Sequence, residues 1–193
     1  MTPDMTAPAD PTGYWVFGYG SLMWDPGFVH DAVHRAVLVG YHRQFCLYSY
    51  RYRGTRERPG LVLGLDRGGS CRGVVFRVPD HAVAATKAYL WERELDDYAY
   101  LPKLLTVRHP AGVVRAQAFV VDRRQPQYAG GLDVDAIAAI VAHGVGQRGS
   151  NVAYLENTLG HLRTLGIVDR GLERVAARVR ALAESPLATP AAS

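Results

Sequence analysis

The sequence predicts a single α+β domain, and three observations support this class. Strand-like patterns are concentrated in the first two thirds of the chain, helical patterns fill most of the last third, and one helical pattern lies between two pairs of strand-like patterns. Because strands and helices do not alternate regularly, a parallel βαβ winding is not predicted. The 193 residues fit one domain with its own core, and no internal repeat or shift in composition indicates a second.

The first element is the stretch Trp15–Trp24, WVFGYGSLMW, in which an apolar run breaks at a Gly-Tyr-Gly-Ser turn and then resumes. The apolar start suits a buried strand, while Gly18 and Gly20 lack the side chain that would keep a ligand or a neighbouring backbone at a distance. Consecutive N–H groups in such a turn can hold an anion, either a carboxylate or an oxyanion. A tight strand-to-loop turn without a ligand is the alternative interpretation.

Further β structure is predicted after this turn. Ala36–Tyr50 is rich in Val, Leu, Tyr, Phe and Cys, which predicts one or two strands. Gly60–Asp66 and Cys71–Val78 predict two more strands. Arg67-Gly68-Gly69-Ser70 lies between these two and is a turn pattern, so the pair is expected to form a hairpin.

The first helix is predicted to begin at Pro79-Asp80, with Asp80 as the N-cap, and to run to about Leu95. A second hairpin is predicted next, from strands Lys103–Arg108 and Val113–Val121 around a Pro-Ala-Gly turn. The remaining helical patterns cover Asp133–Val145, Ser150–Leu165 and Gly171–Ala183.

The two ends of the chain differ from this domain, which we place at residues 13–184. Residues 1–12 are rich in Pro and predict a flexible leader without the features of a signal peptide, and residues 185–193 predict a disordered tail. No run approaches the roughly 18 apolar residues that span a membrane. Cys46 and Cys71, the only two cysteines, lie in predicted strands and suggest reduced core residues of a cytoplasmic protein. The net charge of +4 does not discriminate between small anions and nucleic acid as partners.

The helix pattern contains two glutamates that helical geometry separates. Glu94 falls on an apolar face, whereas Glu92 points about 160° away from it, and Glu92 and Arg93 are expected on a solvated face. The other residues predicted on the face of Glu94 are Val83, Lys87, Leu90, Trp91 and Tyr98.

A carboxylate inside an apolar face needs an explanation, because burying it costs free energy unless it is hydrogen-bonded or protonated. One explanation is catalytic, since desolvation raises the pKa of Glu94 toward the range of a general base. The alternatives are an ion pair with Lys87 or a nearby Arg, or a helix that ends early and leaves Glu94 in solvent.

Taken together, the motifs resemble one family. From about Trp15 to beyond Leu165 the sequence resembles the ChaC-like γ-glutamylcyclotransferases, which are glutathione-degrading enzymes. The resemblance implies a mixed, barrel-like β-sheet flanked by helices. It rests on motifs in the same order: WVFGYGSLMW, GYHRQFCL at Gly40–Leu47, RGT followed by PG within Arg53–Gly60, YLWEREL at Tyr89–Leu95, QPQY at Gln125–Tyr128 and GSNVAYL at Gly149–Leu155.

The resemblance also implies roles for particular residues. Glu94 takes the position of the catalytic acid/base. The chain departs from relatives at Asp96-Asp97-Tyr98, where they often place a Gly before a Tyr, and this leaves the backbone after the helix in doubt. Substrate-binding roles are implied for the loop residues Val16, Phe17, Gly18, Tyr19, Gly20, Ser21 and Leu22, and also for Tyr128, Asn151 and Tyr154.

The implied reaction is an intramolecular aminolysis of glutathione. The α-amine attacks the γ-carbonyl, closes a lactam and releases 5-oxoproline and Cys-Gly, without water, metal or cofactor. Glu94 takes and returns the proton, and the N–H groups of the loop hold either the oxyanion or the substrate α-carboxylate. The distal glycine carboxylate is expected to meet the basic loop, which contains Arg51, Arg53, Arg56 and Arg58.

Other interpretations remain. The substrate could be another γ-glutamyl amide or γ-glutamyl amino acid, or the domain could bind γ-glutamyl groups without catalysis. The Tyr- and Arg-rich stretch Tyr48–Arg58 could bind single-stranded nucleic acid, although no other nucleic-acid motif supports this. Ser21 lacks a G-x-S-x-G context, and His30 and His34 lack the adjacent Glu of a metal-binding helix. We therefore expect a small-molecule substrate, no nucleic acid, no membrane, and a monomer or homodimer.

Overall fold

Five β-strands form a closed barrel in the computed structural model, which describes residues 12–95 and 99–184. The order around the barrel is β1-β3-β2-β4-β5, and β1 closes it by pairing antiparallel with β3 and parallel with β5. The predicted mixed, barrel-like sheet is therefore confirmed. The strands are β1 (Tyr14–Gly18), β2 (Ala32–Ser49), β3 (Gly60–Val78), β4 (Tyr100–His109) and β5 (Gly112–Val121).

The longest pairing joins β2 and β3, from Ala32 opposite Arg77 to Ser49 opposite Gly60. The hairpin turn predicted at Arg67–Ser70 is wrong, because β3 continues through it. Gly68 and Gly69 have φ angles of +103° and +65° and form a bulge opposite Gly40 on β2. Left-handed glycines serve a turn or a bulge equally well, so only the pairing with the neighbouring strand distinguishes the two.

Four helices and a short two-stranded sheet complete the described fold. The second hairpin and the three late helices are confirmed. The predicted capping role of Asp80 is wrong, because Pro79 is the N-cap of a 3₁₀ turn over Asp80–Ala82 and no side chain caps it. The elements are α1 (Val83–Leu95), α2 (Val134–His143), β6 (Val145–Gly146), β7 (Gly149–Ser150), α3 (Asn151–Thr164) and α4 (Arg170–Glu184).

The helices cover two different surfaces of the sheet. Helix α1 packs its fully buried Leu90 with Val16 of β1 and Phe119 of β5. Helix α2 packs on β3 and against α3 and α4, and the three helices share one buried core with Phe45 of β2 and Leu61 of β3. None of the helices in the described ranges is long and apolar enough to cross a membrane. The predicted tail and, apart from Thr12, the predicted leader lie outside the described residues.

Two histidines lie stacked within the buried part of the barrel. His34 pairs with Val75, which pairs with Phe17, so His34 shares the face of that aromatic ring. Its imidazole stacks on His109, with ring centroids 4.6 Å apart. Neither ring nitrogen of His109 has a hydrogen-bond partner among residues 12–95 and 99–184. Burial lowers the pKa of His109, and His34 lowers it further.

This arrangement predicts that acidification weakens the fold. Because the pKa of His109 in the folded state lies below its unfolded value of about 6.5, the unfolded chain binds more protons as pH falls through that value. The free energy of unfolding, measured with urea between pH 7.5 and 5.5, should therefore decrease as the pH falls. His109→Leu should show a shallower decrease, and equal pH slopes in the two proteins would contradict the prediction.

Candidate active site

The glycine-rich turn after β1 is tightly packed on one side and borders a tyrosine on the other. A Cβ atom on Gly18 would lie 3.2 Å from Cβ of Leu22 and 3.3 Å from the ring of Phe76, so no larger residue fits without movement. A Cβ atom on Gly20 would point toward Tyr154, 4.0 Å from its hydroxyl. Gly18 thus serves packing, whereas Gly20 brings bare backbone next to Tyr154.

The turn continues into a 3₁₀ helix, Ser21–Met23, whose N-cap is Gly20. The N–H of Met23 donates to the carbonyl of Gly20 at 2.9 Å. The N–H groups of Ser21 and Leu22 lie in the first turn, where helix geometry provides no intrahelical carbonyl for them. Such N–H groups can bind an anion.

The Glu94 side chain is largely buried in the last turn of α1, with 16% of its surface exposed, and its predicted burial is confirmed. Burial raises the pKa of Glu94, and the neighbouring Arg93 lowers it; the net direction is upward. The Nε atom of Arg93 lies 3.4 Å from Oε1 of Glu94. A carboxylate in this state is a stronger base than one in water.

Three tyrosines lie close to Glu94: Tyr19 from the turn, Tyr100 from β4 and Tyr154 from α3. Burial raises the pKa of each hydroxyl, and the charge of Glu94 raises it further, to about 12 for Tyr154. The hydroxyl of Tyr100 donates to the carbonyl of Leu63 at 2.8 Å, whereas the hydroxyl oxygen of Tyr154 accepts from the N–H of Leu63. The tyrosines therefore stay protonated and held in place, and the contact with Leu63 leaves the proton of Tyr154 unused.

Arg93 contacts both the turn and Glu94, and its expected place on a solvated face is wrong, because only 20% of its side chain is exposed. Its guanidinium donates to the Ser21 hydroxyl at 2.9 Å and to the Asp25 carbonyl at 2.8 Å. It also donates to the hydroxyl of Tyr89 at 2.6 Å. The spacing of Tyr89 and Arg93 by four residues was a visible signal for that contact. The bonds to the turn join residues about 70 positions apart and had no such signal.

The buried face of α1 is rotated relative to the predicted one. Thr86 and Leu90 are buried, whereas Lys87 is exposed and Trp91 is 40% exposed. The ammonium of Lys87 lies over the ring of Tyr14, so the alternative in which Lys87 pairs with Glu94 is wrong. The alternative of an ion pair with a nearby Arg is confirmed, and that arginine is Arg93. Glu92 is exposed as expected, and Tyr98 lies outside the described residues. The physical reason is that Leu90 occupies the centre of the contact with β1 and β5, so Trp91 lies at its edge, with its ring centroid 5.8 Å from that of Phe119 on β5.

Three predicted site residues lie outside the turn and α1, and of these the structure brings Tyr154 close to Glu94. Tyr128 donates its hydroxyl to Asp66 at 2.7 Å, and that carboxylate also pairs with Arg123. Asn151 is fully buried, and its side-chain amide bonds both the N–H and the carbonyl of Leu61, at 2.6 and 2.8 Å. These contacts give Tyr128 and Asn151 structural partners at positions where substrate contacts were expected.

Within the basic loop, Arg53 is the arginine that faces the site. Its guanidinium lies 4.7 Å from the ring centre of Tyr154, and it donates to the backbone carbonyl of Arg148. Burial lowers the pKa of Arg53, although the group stays cationic near neutrality. Arg51, Arg56 and Arg58 are exposed.

The two remaining histidine candidates do not lie on a helix. His34 belongs to β2 and stacks on His109, while His30 lies in the segment before β2 and bonds the carbonyl of Phe28. No group of three or more His, Cys, Asp and Glu residues in the described ranges could hold a metal ion.

The chain is similar to known proteins over most of its length. The family model described as ChaC-like protein matches residues 14–182. The glutathione-specific γ-glutamylcyclotransferase of Escherichia coli K12 is 37% identical over 169 residues, covering 87% of this chain and 73% of the relative. The human glutathione-specific γ-glutamylcyclotransferase 1 is 33% identical over 151 residues, covering 76% of this chain and 68% of the relative.

A solved structure has the same fold. The crystal structure of a yeast γ-glutamyl cyclotransferase specific to glutathione aligns with a TM-score of 0.79 at 22% identity, and the alignment covers 88% of this chain and 96% of that chain.

The contacts of Asn151 predict a structural role. Asn151→Ala should lower the free energy of unfolding by about 2–4 kcal/mol, because the buried N–H and carbonyl of Leu61 lose their partners. Urea unfolding measures this effect. Asn157→Ala, at an exposed position of the same helix, is the matched control and should stay within about 0.5 kcal/mol of wild type. Equal stability of both variants would contradict the structural role of Asn151.

Proposed function

Since the chain belongs to the ChaC-like family, we propose that it degrades glutathione by cyclising the γ-glutamyl group, which releases 5-oxoproline and Cys-Gly. The observation that carries the proposal is the buried carboxylate of Glu94, surrounded by tyrosine hydroxyls beside the glycine-rich turn. The same activity stands in the names of the bacterial and human relatives.

In the proposed complex, the γ-glutamyl part lies against the turn after β1. The N–H groups from Gly20 to Leu22 donate to an anionic group, which is either the α-carboxylate or the oxyanion that develops on the γ-carbonyl. Arg53 binds the distal glycine carboxylate. This placement folds the substrate so that its amine lies near its own γ-carbonyl carbon.

Glu94 acts first as a base and then as an acid. It removes a proton from the α-ammonium, and the freed amine attacks the γ-carbonyl carbon, which forms the ring C–N bond and places negative charge on the oxygen. Glu94 then returns the proton to the amide nitrogen of the leaving group, the original C–N bond breaks and the carbonyl forms again. The ring nitrogen loses its second proton to the released amine, which leaves as an ammonium group. One carboxylate is sufficient because the proton is taken and returned within one turnover.

The three tyrosines support this chemistry in two ways. Their raised pKa values keep the hydroxyls protonated. Because Tyr100 donates its proton to Leu63 and Tyr19 donates to Tyr100, Tyr154 is the tyrosine whose proton can be donated toward developing negative charge. Their rings also occupy the space around Glu94, which keeps its carboxylate out of water and maintains its raised pKa. Since the nucleophile is the amine of the substrate, excluding water costs the reaction nothing.

Location and assembly are part of the proposal. The two cysteines, Cys46 and Cys71, are buried and unpaired, which supports a reducing compartment such as the cytoplasm. We propose a monomer or a homodimer with no nucleic-acid partner.

The leading alternative is a cyclotransferase that acts on another γ-glutamyl amide. The turn and Glu94 would serve any γ-glutamyl group, whereas Arg53 would favour a leaving group that ends in a carboxylate. Incubation with glutathione and a set of γ-glutamyl dipeptides, with release of 5-oxoproline and amine as the measurement, distinguishes the two candidates.

Glu94→Gln should fold normally and lose about 10²–10⁴-fold in turnover, because the amide cannot accept the proton. The assay is release of 5-oxoproline from glutathione. Glu92→Gln, at the exposed neighbouring glutamate, is the matched control and should stay nearly fully active. Retained turnover in Glu94→Gln would sink the assignment of the base.

Arg53→Met should raise KM for glutathione about 10–100-fold, since one charge-assisted contact to the glycine carboxylate is lost. With a glutathione analogue whose glycine carboxylate is replaced by an amide, the same substitution should have little effect. Arg56→Met, at an exposed position of the same loop, serves as the control. Equal losses with the acid and the amide would refute the carboxylate contact.

A further inference from the structure

A buried arginine on β2, Arg43, touches the glycine-rich turn from the side opposite solvent. Only 1% of its side chain is exposed. A buried guanidinium must find partners for its donors, because leaving them unpaired costs free energy. Nη1 pairs with the carboxylate of Asp169 at 2.7 Å, and Nη2 donates to the carbonyl of Arg72 at 2.6 Å.

The remaining donors of Arg43 go to the turn itself. Nε donates to the backbone carbonyl of Tyr19, and Nη2 lies 3.8 Å from the sulfur of Met23. One side chain therefore touches both ends of the segment from Tyr19 to Met23. Asp169 balances the charge of Arg43, and the carbonyl of Arg72 links its guanidinium to β3. Neither of these contacts requires that Arg43 also bond Tyr19.

The contact with Tyr19 fixes more than one atom. The carbonyl of Tyr19 and the N–H of Gly20 belong to the same rigid, trans peptide group and point in opposite directions. A carbonyl held by Arg43 therefore sets the N–H of Gly20 away from the arginine. The positive charge on the bonded guanidinium also polarises the peptide, which strengthens that N–H as a donor.

We propose that Arg43 is a positioning residue that aims and strengthens the Gly20 N–H toward the anionic group of the bound substrate. The inference rests on the proposed function, in which this N–H belongs to the donors of the turn. Arginine is needed because its planar fork reaches Asp169, Arg72 and Tyr19 together, whereas a lysine ammonium cannot span the three.

Steady-state kinetics of 5-oxoproline release tests the proposal. Arg43→Lys should keep its far-ultraviolet circular dichroism and lose about 10–100-fold in kcat/KM. A fall in kcat at constant KM assigns the N–H to the developing oxyanion, and a rise in KM at constant kcat assigns it to the substrate carboxylate. Unchanged kcat/KM overturns the proposal.

Asp169→Asn is the matched control, because Asn keeps an oxygen for Arg43 and leaves the Tyr19 contact in place. It should lower the melting temperature yet hold kcat/KM within about three-fold of wild type. An equal loss of kcat/KM in Asp169→Asn and Arg43→Lys overturns the positioning role. If Arg43→Lys does not fold, Arg43→Gln is combined with Asp169→Asn, which removes both charges of the pair. The kcat/KM of this double variant should be about ten-fold lower than that of Asp169→Asn alone.

A second measurement is independent of turnover. The amide resonance of Gly20 in ¹⁵N-labelled protein should shift in Arg43→Lys and stay in place in Asp169→Asn. A wild-type protein that releases no 5-oxoproline refutes the proposed function alone, whereas an unmoved Gly20 resonance in Arg43→Lys refutes the positioning role whatever the activity.

Discussion

The candidate site depends on the contact that Arg93 makes between α1 and the turn after β1. The carboxylate lies on a helix that follows β3, and the donors lie in a turn that precedes β2, so no local geometry holds them together. The guanidinium of Arg93 bonds Ser21 and Asp25 of the turn while its Nε faces Glu94. Arg93 therefore links the helix that carries the base to the turn that carries the donors.

The Arg93 contact also limits how far burial can raise the pKa of Glu94. Desolvation favours the protonated carboxyl, and the adjacent Arg93 favours the carboxylate; the upward direction of the pKa means that burial is the larger effect. Without the arginine, burial would raise the pKa of Glu94 further and favour the carboxylate form less. Without the tyrosines, water would return the carboxylate to ordinary acidity. The opposing contributions together leave a group that can both accept and return a proton.

The sequence predicted the strands, the late helices and the burial of Glu94, because each of these follows from the pattern of one segment. The failures are of another kind. The turn expected at Arg67–Ser70 is a bulge because β2 runs alongside it. The partly exposed Trp91 and the inward Arg93 follow from which side of α1 meets β1 and β5. Such outcomes depend on contacts between segments that are distant in the sequence, and the periodicity of one segment does not predict those contacts.

The motifs that resembled one family divide by what their polar atoms contact. Glu94, Tyr154 and the backbone of Gly20 share a site, whereas the side chains of Asn151 and Tyr128 are already bonded to Leu61 and Asp66. Asn151 opens α3, the helix that carries Tyr154 three residues later. On β3, two residues after Leu61, the carbonyl of Leu63 accepts from Tyr100 and its N–H donates to Tyr154. A side chain that fixes the start of α3 to β3 therefore fixes where a tyrosine hydroxyl meets the carboxylate. Residues of this kind can influence turnover through position alone, so resemblance to a motif identifies the site and its support together, and only the contacts separate them.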